Sequence, residues 1–251
     1  MNAVRILPDV EALSRAAARE FVELSRAAVA ARGRFAVALA GGSTPRRIYE
    51  LLAEPEHHDQ VDWPRVELFW GDERPVPPEH PDSNYGMAAA ALLTKVDLRP
   101  ERIHRIQAER PDRKAAACDY QVEIARVLGA RPDGSPPVFD LILLGMGADG
   151  HTASLFPDTE ALREQHCHVV ANYVPKLGSE RITLTFPIIN RASDILIVVA
   201  GAEKARTLRA VLEGPRAVER LPSQLLRPVA GRLTWLIDWA AASALTASGG
   251  A

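Results

Sequence analysis

Short apolar runs alternate with longer stretches of helical spacing along this chain. Residues 9–32 place Val10, Leu13, Ala17, Phe21, Leu24 and Ala28 three or four apart, the period of an amphipathic helix, and Gly33 stands where a C-terminal glycine belongs. Residues 35–40 are an apolar run that predicts a strand. GGSTP follows, and then a helical pattern over residues 46–52, with Thr44 as N-cap and Pro45 at the first helical position. Residues 66–70 predict the next strand, ending in GDER and a proline-rich segment that reaches Pro81. Ser83 is placed to cap a helix over residues 84–94, residues 103–106 predict a short strand, and residues 112–128 a helix. A polar loop over 129–137 leads into the apolar run 139–144, which stops at GMGADGH. Strands follow at 169–173, 182–186 and 194–200. GAEK then opens a helix that Gly214-Pro215 ends, and a strand at 233–237 precedes an alanine-rich tail helix.

This alternation predicts an α/β fold with a largely parallel sheet. No repeat, low-complexity linker or break in composition divides the chain, so residues 1–251 are expected to form one domain. GGSTP, GDER, GMGADGH and GAEK each follow directly on an apolar strand. In a parallel sheet such loops emerge together at the carboxyl edge, where open α/β sheets bind ligands.

The 251 residues suffice for a core without staples, and 47% hydrophobic with 25% charged residues is ordinary for a globular protein. A net charge of −2 argues against a nucleic-acid or anionic-membrane surface, so any anion must be held by a local cluster of donors. Cys118 and Cys167 are too few for a disulfide framework, and no run has the length of a membrane span or signal core. A cytoplasmic protein is expected.

The chemistry concentrates in the loop at 145–151. Its glycines match G-x-G-x-x-G, but HTASLFPD is a poor start for the long helix that a dinucleotide site needs, and no acidic residue closes the strand near 169–173. The sharper reading is His151 as a general base beside Asp149, because imidazole transfers protons near neutrality. The plainer alternative makes Asp149 a turn cap and His151 a packed polar residue. Ser43 and Thr44, with the amides of Gly41 and Gly42, can cradle a phosphate or simply begin a helix. Arg74, Arg181 and Lys204 can complete an anion clamp or stand as surface charges. His166-Cys167-His168 puts at most two histidines on one strand face, so no metal site is expected.

ALAGGSTP (38–45), FWGDERPVP (69–77), DSNYGMA (82–88), LLGMGADGHTASLFP (143–157), RITLTFPIINRA (181–192) and VAGAEKA (199–205) together resemble the 6-phosphogluconolactonase family. They do so in that family's order and over most of the chain. The resemblance implies a Rossmann-like sheet with helices on both faces, a fold shared with glucosamine-6-phosphate deaminases. It implies hydrolysis of 6-phosphoglucono-δ-lactone to 6-phosphogluconate, the second step of the oxidative pentose phosphate pathway. Deaminases of this kind carry a glutamate where this chain has Phe156 and a tyrosine where it has Arg74, and both departures fit the lactonase. A sugar-phosphate-sensing module is a further alternative, although it would not need the Asp-Gly-His.

Carried over residue by residue, the resemblance makes His151 the activator of water and Asp149 its orienting or hydrogen-bonding neighbour. Gly42, Ser43 and Thr44 match the phosphate loop, with Arg181 and Lys204 as its cationic partners. Arg74 binds phosphate or stabilises the oxyanion, and Lys176 matches a substrate-binding position. The expected partner is a small sugar-phosphate lactone, with the protein a monomer or weak homodimer. No cofactor is implied, since a lactone is already an activated ester.

Overall fold

A computed structural model describes residues 2–131 and 134–246. In chain order its strands are β1 (Asn2–Leu7), β2 (Phe35–Leu39), β3 (Val66–Trp70), β4 (Asp72–Glu73), β5 (Leu141–Gly145), β6 (Val169–Val174), β7 (Ser179–Leu184), β8 (Asp194–Val199) and β9 (Arg232–Asp238). The α-helices are α1 (Val10–Arg32), α2 (Ser43–Leu52), α3 (Pro55–His58), α4 (Asn84–Ala91), α5 (Arg113–Leu128), α6 (Phe186–Ile189), α7 (Ala205–Glu213) and α8 (Trp239–Ala242). One six-stranded sheet runs β1-β9-β8-β5-β2-β3, and every pairing in it is parallel. The expected α/β class, with a largely parallel sheet flanked by helices, is what the chain adopts.

The two longest-range expectations follow from burial. β2, β3 and most of β5 and β8 are buried at successive positions; β2, β5 and β8 carry apolar runs in place of alternation, while β3 buries Glu67 among its apolar residues. Helix α1 starts where the Asp9 carboxylate accepts from the Ala12 amide at 2.7 Å and stops at Gly33, left-handed at φ 74°. Its buried Phe21 meets Phe35 edge-on at 5.2 Å, pinning the helix to β2. Burying one such side chain contributes roughly 1.5–3 kcal/mol, more than the cap's ~1 kcal/mol, so packing rather than capping fixes where α1 lies.

Several elements differ from expectation. Strand β1 was not visible as one: it pairs only with β9, at the sheet's edge, and its Val4 and Ile6 remain exposed. Helix α2 begins at Ser43 after Gly42, with no side-chain cap, so Thr44 and Pro45 lie inside its first turn. GDER is only partly a loop. Asp72–Glu73 pair antiparallel with β7, which also pairs with β6, giving a second sheet of order β4-β7-β6. Strands 169–173 and 182–186 thus belong outside the parallel sheet, and Phe186 opens α6 because Pro187 cannot continue a ladder. Helix α4 ends at Ala91 and a 3-10 turn follows. The predicted strand at 103–106 reduces to one bridge, Leu68 to Ile103. The tail yields the short α8, and the rest of that prediction from residue 247 on lies outside the described residues.

From β5 the chain order proceeds one way through β8 and β9, while β2 leads the other way to β3. The strand ends of β2 and β5 therefore flank a topological switch point, and a crevice is expected outside their carboxyl ends. That is where the polar loops meet.

Candidate active site

A cleft of about 250 Å³ opens there, and Gly42, Ser43, Thr44, Arg74, His151 and Lys204 all line it. Asp149, Lys176 and Arg181 do not line it, but Asp149 bonds to the cleft residue His151 and Lys176 to Asp149. The nine residues singled out from sequence come from loops after β2, β3, β5 and β8 and from the β6–β7 hairpin.

The loop after β5 is folded onto itself. The Gly147 amide donates to the His151 carbonyl at 2.9 Å and the Gly150 amide to the Gly147 carbonyl at 3.0 Å. Thr207 of α7 donates to the Ala148 carbonyl at 2.7 Å, and the Ser223 hydroxyl to the Gly150 carbonyl at 2.8 Å. These bonds, two within the loop and two from Thr207 and Ser223 outside it, hold the loop in place. A Cβ on Gly147 would lie 2.1 Å from His151 Cε1, so only glycine lets the imidazole sit where it does.

Asp149 Oδ1 accepts from His151 Nδ1, and Asp149 Oδ2 accepts from Lys176 Nζ at 2.8 Å. Burial alone would push this carboxyl up. The hydrogen bonds from His151 and Lys176 outweigh burial and hold it far below the usual carboxylate range. An ionised carboxylate only accepts, so the neutral imidazole carries its proton on Nδ1. Nε2 is left with a lone pair and has no partner among the described residues. The arrangement suits a proton acceptor whose orientation is set from behind.

The loop after β2 has the opposite character. The amides of Gly41, Gly42, Ser43 and Thr44 have no acceptor among the described residues, because the first helical bond runs from the Arg46 amide to the Gly42 carbonyl. Gly42 turns the chain at φ 105°, which side-chain-bearing residues rarely adopt. Free amides at a helix start carry partial positive charge and bind anions. Arg74, Arg181 and Lys204 add cations, and none has a carboxylate ion pair among the described residues. Extending the β4–β7 register places Arg74 opposite Arg181. Burial, and then the Arg74 charge, push the Arg181 guanidinium down from its ordinary value. Like charges directly opposite cost stability unless something negative joins them.

Two residues that sequence reading did not assign to the site complete it. Asp72 lines the cleft, where Asp72 Oδ2 accepts from Ser154 Oγ at 2.6 Å and the Asp72 carbonyl from Asn84 Nδ2 at 2.9 Å. Asn84 belongs to the DSNYG segment, and the carboxylate of Glu73 binds that segment by accepting from the Asn84 and Tyr85 amides, each at 2.8 Å. Burial raises the Glu73 carboxyl despite these amides. Placement directly after a strand was the available signal for Asp72. For Asn84 the signal was its place in DSNYGMA, one of the segments that carry the family resemblance. Ala153, also in the wall, is left-handed at φ 48°, an uncommon conformation for a residue with a Cβ.

An open, parallel α/β sheet carries an Asp–His couple and a helix start with open backbone amides at its switch point, the place where enzymes built on such sheets bind their ligands. The chain belongs to the family described as "Glucosamine-6-phosphate isomerases/6-phosphogluconolactonase", whose profile matches residues 8–235. A 6-phosphogluconolactonase of Nostoc sp. is 40% identical, over 97% of this chain and 98% of its own length. A solved structure of the 6-phosphogluconolactonase of Trypanosoma brucei superposes with a TM-score of 0.86 at 28% identity, covering 98% of this chain and 99% of that one. A monomeric glucosamine-6-phosphate deaminase shares the fold, with a TM-score of 0.79 at 24% identity, covering 96% of this chain and 99% of that one.

Proposed function

We propose that this chain hydrolyses 6-phospho-D-glucono-1,5-lactone to 6-phospho-D-gluconate, the reaction named for its relatives in Nostoc and Trypanosoma brucei. The observation that carries the reading is the free Nε2 of His151, which faces the same cleft as the open amides of the Gly42–Thr44 loop. The amides, with Lys204 and Arg181, take the phosphate. His151 Nε2 accepts a proton from water as the water oxygen attacks the lactone carbonyl. Arg74 stabilises the oxyanion of the tetrahedral intermediate. That intermediate collapses by breaking the bond from the carbonyl carbon to the ring oxygen, which leaves with the proton returned from the imidazolium. Asp149 fixes the ring and offsets its transient charge, and Lys176 helps keep Asp149 ionised.

A lactone is an activated ester, so one base, one positioned water and one oxyanion donor suffice. One apolar cluster, reaching from α1 through the parallel sheet to Ile182 and Leu184 of the hairpin, supports reading the chain as a single unit serving this reaction. A cytosolic setting fits the same reading.

The test is lactone disappearance measured against spontaneous hydrolysis, for the phosphorylated lactone and for unphosphorylated gluconolactone. The expected result is strong acceleration of the first and little of the second. A rate equal to background sinks the hydrolase reading. Equal acceleration of both lactones sinks the phosphate clamp.

A further inference from the structure

The hydrogen bond to Asp149 holds one edge of the His151 ring but does not fix its plane. A single contact at Nδ1 leaves the imidazole free to rock about that axis, and rocking swings Nε2 across the cleft. The plane is fixed by something else. The Phe156 ring lies 3.9 Å from the His151 ring, centroid to centroid, with only 20° between their planes. Phe156 is 8% exposed, and the backbone of Gly147 closes in on the imidazole as well.

Phe156 is itself tied down. Its carbonyl accepts from Thr159 Oγ1 at 2.8 Å. Asn172 of β6 then donates to Thr159 Oγ1 at 3.2 Å and to the Ser154 carbonyl at 2.9 Å. A bridge from Thr152 to Leu155 closes the turn between the two rings. The segment carrying Phe156 is thus bonded to the second sheet, not left to follow His151.

We propose that Phe156 is a positioning residue, whose ring fixes the plane of the His151 imidazole so that Nε2 meets the reacting water. The proposal rests on His151 being the base. Stacked aromatic pairs are stabilised beyond their buried area, enough to favour one ring orientation several-fold. The phenyl face brings no proton donor or acceptor, so Asp149 is the only ionisable partner of the ring among the described residues.

The test uses the full chain with Phe156→Leu and Phe156→Tyr. Leucine keeps an apolar filling without the flat face. Its kcat is expected to fall about 3- to 10-fold, the scale of the lost orientational preference, while KM changes less than about twofold. Tyrosine, which restores a ring, recovers most of that loss. In the wild type the Nδ1 proton shared with Asp149 gives one exchange-protected imidazole signal by NMR, and in Phe156→Leu that signal broadens. Should the leucine variant melt below assay temperature, Phe156→Met carries the same expectations. A leucine variant with kcat within twofold of wild type and an unchanged imidazole signal overturns the proposal. So does a tyrosine variant no better than leucine. Failure of the base reading is separable, since it shows as full activity in His151→Ala, whereas the NMR signal reads the clamp itself.

Discussion

The loops after β2 and β5 look alike as text: an apolar strand, then glycines, then small polar residues. They differ in where their backbone amides go. After β5 the amides of Gly147 and Gly150 are used within the loop, and what reaches the cleft is the His151 side chain. After β2 the amides of Gly41 through Thr44 stay open and the backbone itself becomes the binding surface. A glycine-rich turn therefore does not announce phosphate binding. It does so only when its amides are left unspent, and in the proposed reaction the work is divided: one loop holds the anion and the other reacts.

The widest break in that division is expected from Asp149→Asn. The amide can donate to the ring and so moves the imidazole proton away from Nδ1. Hydrolysis should slow by about 10²–10³-fold, with inorganic phosphate still inhibiting at wild-type concentrations. Gly147→Ala comes next. Its Cβ would meet His151 Cε1 at 2.1 Å, and a ring displaced by about an ångström loses about 10²-fold in kcat, again with KM nearly unchanged. Lys204→Ala touches the other loop. It should raise KM for the phosphorylated lactone about 10- to 30-fold, the value of a charge-assisted hydrogen bond, while kcat moves less than about threefold.

The smallest effect concerns Glu73, which holds the Asn84 segment against the site. Burial raises its carboxyl in the folded chain, so the native state keeps this proton to higher pH than the unfolded state does. Its contribution to stability therefore falls as pH rises from about 4.3, the unfolded value, through its raised folded value. Glu73→Gln has no such loss. Relative to wild type its melting temperature should improve as pH rises from about 4 to about 7, as followed by circular dichroism.

The parallel sheet was legible because its central strands are buried on both faces and read as plain apolar runs, as at Leu141–Gly145 and Asp194–Val199. The convergence of GGSTP, GDER, GMGADGH and GAEK followed from that topology alone. Strand β1 was not legible, since Arg5 between the exposed Val4 and Ile6 gives an edge strand no buried face to advertise. Nor was β4, whose partner Thr183 lies more than a hundred positions away. Separation along the chain also hid the internal wiring of the site: Ser154 and Asp72 lie 82 positions apart and Lys176 and Asp149 27, while Arg74 comes opposite Arg181 only through the β4–β7 pairing. Local spacing can name which residues bear chemistry. It cannot pair them across strands.

The central claim is that reaction and anion binding reside in separate loops, and one variant tests it most directly. His151→Gln should slow lactone hydrolysis by about 10²–10⁴-fold, the contribution of a positioned base. In the same preparation, calorimetry should find 6-phosphogluconate bound with a Kd within about twofold of wild type. Hydrolysis retained in this variant, or product binding lost together with it, would contradict the account.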